Sequence, residues 1–454
     1  MKPLPPHPTA PAGHRSLEEI HGTIAVPSTK TSYWKQYRAF AGPALLVSVG
    51  YMDPGNWATD LQAGAEHHYG LLWVVGLSSL MAMVLQIMAA RLGVVTGKDL
   101  AQCCRDWYPR WTRWPNWLAA EVAIGACDLA EVLGSALALH LLFHIPLFWA
   151  VVITAFDVLL LLSLQRLGMR TIEAIILLLV LTISACYFIE IFILPATTPS
   201  FGEMARALVT PRFADVSMVV LAIGIVGATV MPHNLYLHSA LVQSRSFQAD
   251  EASIRQAVRW NTVDSILSLT MAFFVNAAIL VLAAIVFFGQ ESVTVGGQVI
   301  PFGPDADWMT IAPLTLAPLL GTALASTLFA VALLASGQSS TITGTLAGQV
   351  VMEGFMHWRL RPWARRLITR SLAIVPAIIV IGLCGDGAVT DLLVASQVAL
   401  GIQLPFAMYP LMRFTSSRLR MGRWANGWFL LVAGWTSLLL ISALDIIGLV
   451  GTVA

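Results

Sequence analysis

Eleven apolar stretches run through this sequence, at roughly 39–63, 70–93, 117–141, 146–165, 172–194, 216–243, 262–289, 311–337, 368–385, 387–412 and 425–449. Most reach the roughly 20 residues that a helix needs to cross a bilayer core. Hydrocarbon offers a backbone no partners, so segments of this kind must be helices that satisfy their own N–H and C=O groups. With 57% hydrophobic and 11% charged residues, the composition excludes a soluble domain. The expected fold is an all-α polytopic membrane protein of eleven transmembrane helices. Its lipid bilayer is an obligatory partner, and nucleic acid is not expected as one.

The basic residues fix an orientation. All 26 Lys and Arg residues except Arg206 and Arg212 fall on one set of alternate loops and on the N-terminal segment. By the positive-inside rule that side is the cytoplasm, which puts the N-terminus inside and the C-terminus outside a cell membrane. Residues 1–38 are expected to be a flexible cytoplasmic tail, because the first 35 are Pro-rich and polar and lack the apolar region of a signal peptide. The five cysteines show no metal-site spacing and read as reduced or buried thiols.

Two apolar stretches are interrupted in the same way. The first carries Gly50-Tyr51-Met52-Asp53-Pro54-Gly55-Asn56 at its middle, and the sixth carries Gly227-Ala228-Thr229-Val230-Met231-Pro232-His233-Asn234. Proline has no N–H, so Pro54 frees the carbonyl of Gly50 and Pro232 frees that of Ala228. Unpaired carbonyls and a lone Asp are tolerated in hydrocarbon only where they line a cavity or hold a ligand. Five helices separate the starts of the two breaks, so the second crosses the membrane in the opposite sense. That arrangement is expected of a five-plus-five inverted repeat around a midplane site. The expected division is 39–194 for the first repeat, 195–412 for the second, and 413–454 for an added eleventh helix and the C-terminus.

Facing each other, the breaks would offer the Asp53 carboxylate, the Asn56 amide oxygen, the freed Ala228 carbonyl and the Met231 thioether, with Gly50 as a further carbonyl. Mg²⁺ and Ca²⁺ prefer all-oxygen shells, whereas a thioether favours softer ions such as Mn²⁺, Fe²⁺ and their later neighbours. Elsewhere, Asp128 and Glu131 share a face of the third helix at (i, i+3), and intramembrane carboxylates are candidates for proton exchange. Arg370 is a suitable counter-charge, and His233 titrates in the right range. Gln86, Thr229 and Asn276 are polar mid-helix residues suited to orienting waters or ligands, while His238 reads as structural.

Asp53-Pro54-Gly55-Asn56 and Met231-Pro232-His233-Asn234 resemble the two signature motifs of the Nramp family of divalent transition-metal transporters. The stretch Ala335–Thr345 and the stretch Gln403-Leu404-Pro405-Phe406-Ala407 are similar to the family's eighth and tenth helices. The resemblance implies a LeuT-type fold and import of Mn²⁺ or Fe²⁺ with proton co-transport by alternating access, and no enzymatic activity. It implies Asp53, Asn56, Ala228 and Met231 as metal ligands, with Gln397 joining in an occluded state. It also implies Asp128, Glu131, Arg370 and His233 as parts of a proton route that begins at Asp53. The metal is then cargo, the proton a co-substrate, no cofactor is expected, and the chain is expected to act as a monomer. Two other readings predict different residues. A sodium-coupled amino-acid or amine transporter of the same fold would lack the Asp/Met pair, and an intramembrane protease finds no H-E-x-x-H or Gly-x-Ser-x-Gly here.

Overall fold

Proline sets the boundaries of the helices that matter most. The computed structural model describes residues 16–27, 31–156, 168–193, 198–248, 250–295, 298–303, 306–320, 322–358, 360–384 and 389–453. After a short helix α1 (Tyr33–Phe40), the first apolar stretch forms two helices, α2 (Pro43–Gly50) and α3 (Pro54–His67). Each begins with proline in its first turn, where the missing N–H costs nothing. Asp53 caps α3 by accepting from Asn56 N at 2.8 Å.

The chain continues through α4 (Leu72–Thr96), α5 (Leu100–Trp107), α6 (Arg113–Phe143), α7 (Leu147–Thr154) and α8 (Met169–Phe192). Next come α9 (Phe201–Val209) and the second interrupted pair, α10 (Val216–Val230) and α11 (Pro232–Leu241). The last part comprises α12 (Glu251–Val286), α13 (Trp308–Leu320), α14 (Ala323–Met356), α15 (Pro362–Cys384), α16 (Val389–Thr415) and α17 (Trp428–Val453). The protein is an all-helical, multi-pass membrane protein. Eight helical stretches among the described residues are long and apolar enough to cross a membrane, the α10–α11 pair being one of them. The first stretch escapes that count because its break leaves two short helices, and the apolar part of α15 spans only Leu367–Leu383. The second half of the fourth stretch, with Asp157, and the turn at 385–387 lie outside the described residues.

The start of α2 is pinned by charge. Asp264 of α12 accepts from Gly42 N at 3.2 Å and from Ala44 N at 2.9 Å, filling the role of an N-cap. Arg245 donates to the carbonyls of Ala39 and Ala41 at 3.2 and 2.6 Å, and Arg170 reaches the same two at 2.7 and 3.0 Å. Glu173 pairs with Arg245 at 2.8 Å and with Arg170 at 2.9 Å.

The expectation of a flexible tail is corrected for residues 16–27. Ser16, Leu17 and Ile24 are buried, and Leu17 N donates to Glu353 Oε2 at 2.9 Å. The strand β1 (Ile24–Ala25) pairs in parallel with β2 (Arg245–Ser246), just after α11. Backbone pairing carries no hydropathy signal, which is why a polar, Pro-rich composition reads as a free tail.

Candidate cation site

Where the two breaks meet, most of the backbone groups next to the prolines are hydrogen-bonded. Ser48 and Val49 accept from Tyr51 N at 3.1 Å and Met52 N at 3.0 Å, closing a tight turn. The carbonyl of Tyr51 accepts from Asn276 Nδ2 at 2.8 Å, and that of Met52 from Trp57 Nε1 at 3.1 Å and Ser336 Oγ at 2.5 Å. In the second break Gly227 accepts from Met231 N at 3.3 Å, and Met231 from Asn234 N at 3.1 Å.

The carbonyls of Gly50 and Ala228 have a different partner, the Asn56 side chain. Asn56 Nδ2 lies 2.8 Å from Asp53 Oδ1, 3.0 Å from Ala228 O and 3.5 Å from Gly50 O. Three acceptors, one of them charged when ionised, therefore share the two protons of one amide nitrogen. Asp53 Oδ2 has no hydrogen-bond partner among the described residues. Asp53, Asn56, Ala228 and Met231 are all buried. The point where these acceptors converge is deficient in positive charge.

Met231 sits at that point by way of an unusual backbone. Its φ of 33° is positive, a conformation that costs a side chain roughly 1–2 kcal/mol. It ends α10 and begins α11 in one residue. A side chain on Gly50 would lie 3.3 Å from Met231 Sδ and closer still to Asn234 Nδ2, so glycine there lets the thioether approach the first break. A side chain on Gly55 would overlap the Gln397 carboxamide of α16, whose Oε1 has no partner among the described residues.

Of the ligands read from the sequence, Asp53, Asn56 and the Gly50 and Ala228 carbonyls come together on one amide, Met231 lies beside Gly50, and Gln397 packs on Gly55. The orientation of Asn56 differs from expectation, because its nitrogen and not its oxygen faces the other groups. Asn56 Oδ1 instead accepts from Asn276 Nδ2 at 3.2 Å and Thr229 Oγ1 at 3.5 Å. Gln86 does not touch the cluster. It donates to Tyr51 Oη at 2.6 Å and meets His238 Nδ1 at 2.9 Å, while Tyr51 Oη lies 3.5 Å from Val230 O. Tyr51, which ties the two breaks together, is the residue here that hydropathy alone does not single out.

A second polar group lies along α6. Glu131 accepts from Ser340 Oγ and Thr341 Oγ1 of α14, each at 3.1 Å, and pairs with Arg370 Nη1 of α15 at 3.5 Å. Arg370 and Glu131 are buried, as is Asp128 one turn away. His233, the second residue of α11, is buried with no partner for Nδ1 among the described residues. Cys127 joins the two regions, since its thiol lies 3.7 Å from Glu131 Oε1 while its side chain packs with Met231 and Leu400.

Among the described residues no group of three or more His, Cys, Asp or Glu side chains converges as a metal cluster. A cation at the breaks would rest on one carboxylate, neutral oxygens and one sulfur. The family described as natural resistance-associated macrophage protein-like, Nramp, matches residues 44–451. The chain belongs to the Nramp family. It is 48% identical over 439 residues to the divalent metal cation transporter MntH of a Nostoc species, covering 96% of each chain. It is 49% identical over 446 residues to MntH of Ralstonia nicotianae, covering 98% of this chain and 97% of that one. Its structure is similar to that of the Eremococcus coleocola manganese transporter, with a TM-score of 0.85 and 40% identity over 95% of this chain and 90% of that one. It also resembles Mhp1, a nucleobase-cation-symport-1 transporter, at a TM-score of 0.57, with 90% of each chain covered; at 14% identity that likeness shows the fold alone. Members of the Nramp family are transporters and not enzymes.

Proposed function

We propose that this protein is a secondary transporter that imports divalent transition-metal ions, Mn²⁺ and Fe²⁺ among them, across the cytoplasmic membrane with proton co-transport. The observation that carries the reading is the meeting of Asp53 Oδ1 and the Gly50 and Ala228 carbonyls on a single amide, beside the Met231 thioether. A divalent cation supplies there the positive charge that two amide protons supply poorly. Asp53, Asn56, Ala228 and Met231 are its ligands, Gly50 a further carbonyl, and Gln397 a partner once the site is occluded. The metal relatives support the class of cargo, and the thioether supports a softer ion than Ca²⁺.

Protons leave Asp53 as the divalent charge arrives, because an ion that binds a carboxylate competes with its proton. His233, Asp128 and Glu131, with Arg370 as counter-charge, carry them onward. The architecture is eleven spans in a LeuT-type five-plus-five inverted repeat, 39–194 and 195–412, followed by 413–454, with the N-terminus in the cytoplasm and the C-terminus outside. Alternating access comes from rocking of the bundle that contains both interrupted helices. The monomer is the working unit.

The test is Mn²⁺ uptake into proteoliposomes. Asp53→Ala is expected to abolish uptake, and Met231→Ala to keep part of it while admitting Ca²⁺. Undiminished Mn²⁺ uptake by Asp53→Ala overturns the site.

A further inference from the structure

The polar face of α3 does not end at the break. Asp53, Asp60 and His67 stand seven residues apart in turn, so successive members lie two turns and roughly 10 Å apart on one face of the helix. Asp60 is 1% exposed, and neither of its carboxylate oxygens has a hydrogen-bond partner among the described residues. A carboxylate in that condition is among the most costly groups a helix can bring into a membrane.

Its neighbour is in the same state. Tyr187 of α8 packs on Trp57, one turn before Asp60, with ring centroids 5.1 Å apart. Its hydroxyl is buried without a partner among the described residues. Trp57 stands at (i, i+3) from Asp60 on α3, so Tyr187 packs against the turn that carries Asp60. At the far end of the same face, His67 lines a cleft of about 310 Å³ with His68, Glu203, Arg206 and Arg212. A buried carboxylate without a donor thus stands between a surface cleft and the breaks, with a buried, unpartnered phenol packed beside its turn of the helix.

We propose that Asp60 and the Tyr187 hydroxyl form an outer cation station, where a divalent metal ion that keeps most of its water pauses before it reaches Asp53. This rests on the transport reading above. One carboxylate attracts a hydrated dication without the ligand set needed to strip it, so the station is weak and the ion passes on. It raises the occupancy of the inner site without taking part in its coordination. Trp57, itself packed on Phe329 at 5.3 Å, holds Tyr187 at that level of the bundle.

The experiment measures initial rates of uptake against external Mn²⁺ in proteoliposomes for the wild type, Asp60→Asn, Asp60→Glu and Tyr187→Phe. Asp60→Asn is expected to raise KM about tenfold with kcat within about twofold, the pattern of lost binding without lost turnover. Asp60→Glu should return KM to within about threefold of wild type, and Tyr187→Phe should raise it by about threefold. An unchanged KM in Asp60→Asn overturns the station, as does a kcat that falls more than KM rises, or a raised KM that Asp60→Glu does not restore. If Asp60→Asn is not recovered as a monodisperse protein, Tyr187→Phe decides alone, and an unchanged KM overturns the proposal. Wild-type uptake separates the two readings: without it the transport reading falls, and with it these outcomes bear on the outer station only.

Discussion

The Asn56 amide keeps its orientation at the breaks only if something holds the end that points away from them. Asn276 does this, donating from Nδ2 to Tyr51 O at 2.8 Å and to Asn56 Oδ1 at 3.2 Å. Asn276→Ala removes the donor from two buried oxygens at once, and leaving such a group unsatisfied costs about 1–3 kcal/mol. Part of that cost falls on the geometry of the site, so KM for Mn²⁺ is expected to rise roughly tenfold, since about 1.4 kcal/mol is a factor of ten. Proteoliposome uptake measures it, and an unaltered KM means that Asn56 holds its orientation without Asn276. The residues at the breaks were legible in the sequence because proline is a local signal whose effect on one carbonyl follows from covalent structure. Tyr51 and Ser336 were not, since their roles depend on partners that only packing brings near. Asp60 is an intermediate case: the rule that singles out Asp53 applies to it equally, and the apolar run from Trp57 to Ala65 hides it.

At the scale of elements, α2 is held at its start by side chains from three other parts of the chain. Arg245 is 3% exposed, so its charge depends on Glu173 for compensation. Removing one partner of such a pair costs about 3–5 kcal/mol, because the remaining charge stays buried. Glu173→Ala is therefore expected to lower the melting temperature by roughly 3–5 °C, at about 1 °C per kcal/mol for a chain of this size. Fluorescence-detected size-exclusion after heating reads this directly. An unchanged melting temperature would mean that the Ala39 and Ala41 carbonyls suffice to hold Arg245. Helix identity was legible here from hydropathy alone for α4, α6, α8, α12 and α14, each a long apolar run. The docked segment from Ser16 to Ala25 was not, because its contacts are made by backbone groups and by a few scattered apolar residues, Leu17 and Ile24 among them, in a polar stretch. Hydropathy reports what a segment buries along its whole length and is silent about a strap that touches at a few points.

At the scale of the whole molecule, the inverted repeat proposed above has the two breaks cross the bilayer in opposite senses, so that helix ends of both polarities converge at its centre. The carbonyl ends of α2 and α10 point into the site, and Asp53 caps the amide end of α3, leaving a centre that suits a cation. On the proposed function everything that crosses there carries positive charge, which makes the membrane potential a driving force. One Mn²⁺ with one proton moves three charges inward, worth about 7 kcal/mol at 100 mV from about 2.3 kcal/mol per charge. Proteoliposomes held inside-negative with valinomycin and a potassium gradient should therefore accumulate Mn²⁺ faster than vesicles at zero potential, and a pH dye trapped in the lumen should report acidification as they do. Each part of that outcome tests a different claim. Uptake that ignores the potential overturns net inward movement of charge, whereas uptake that responds to it without acidification keeps the metal site and removes the proton route through Asp128 and Glu131. If Glu131→Gln abolishes the acidification and spares part of the Mn²⁺ uptake, the two routes diverge at the break, with Asp53 belonging to both.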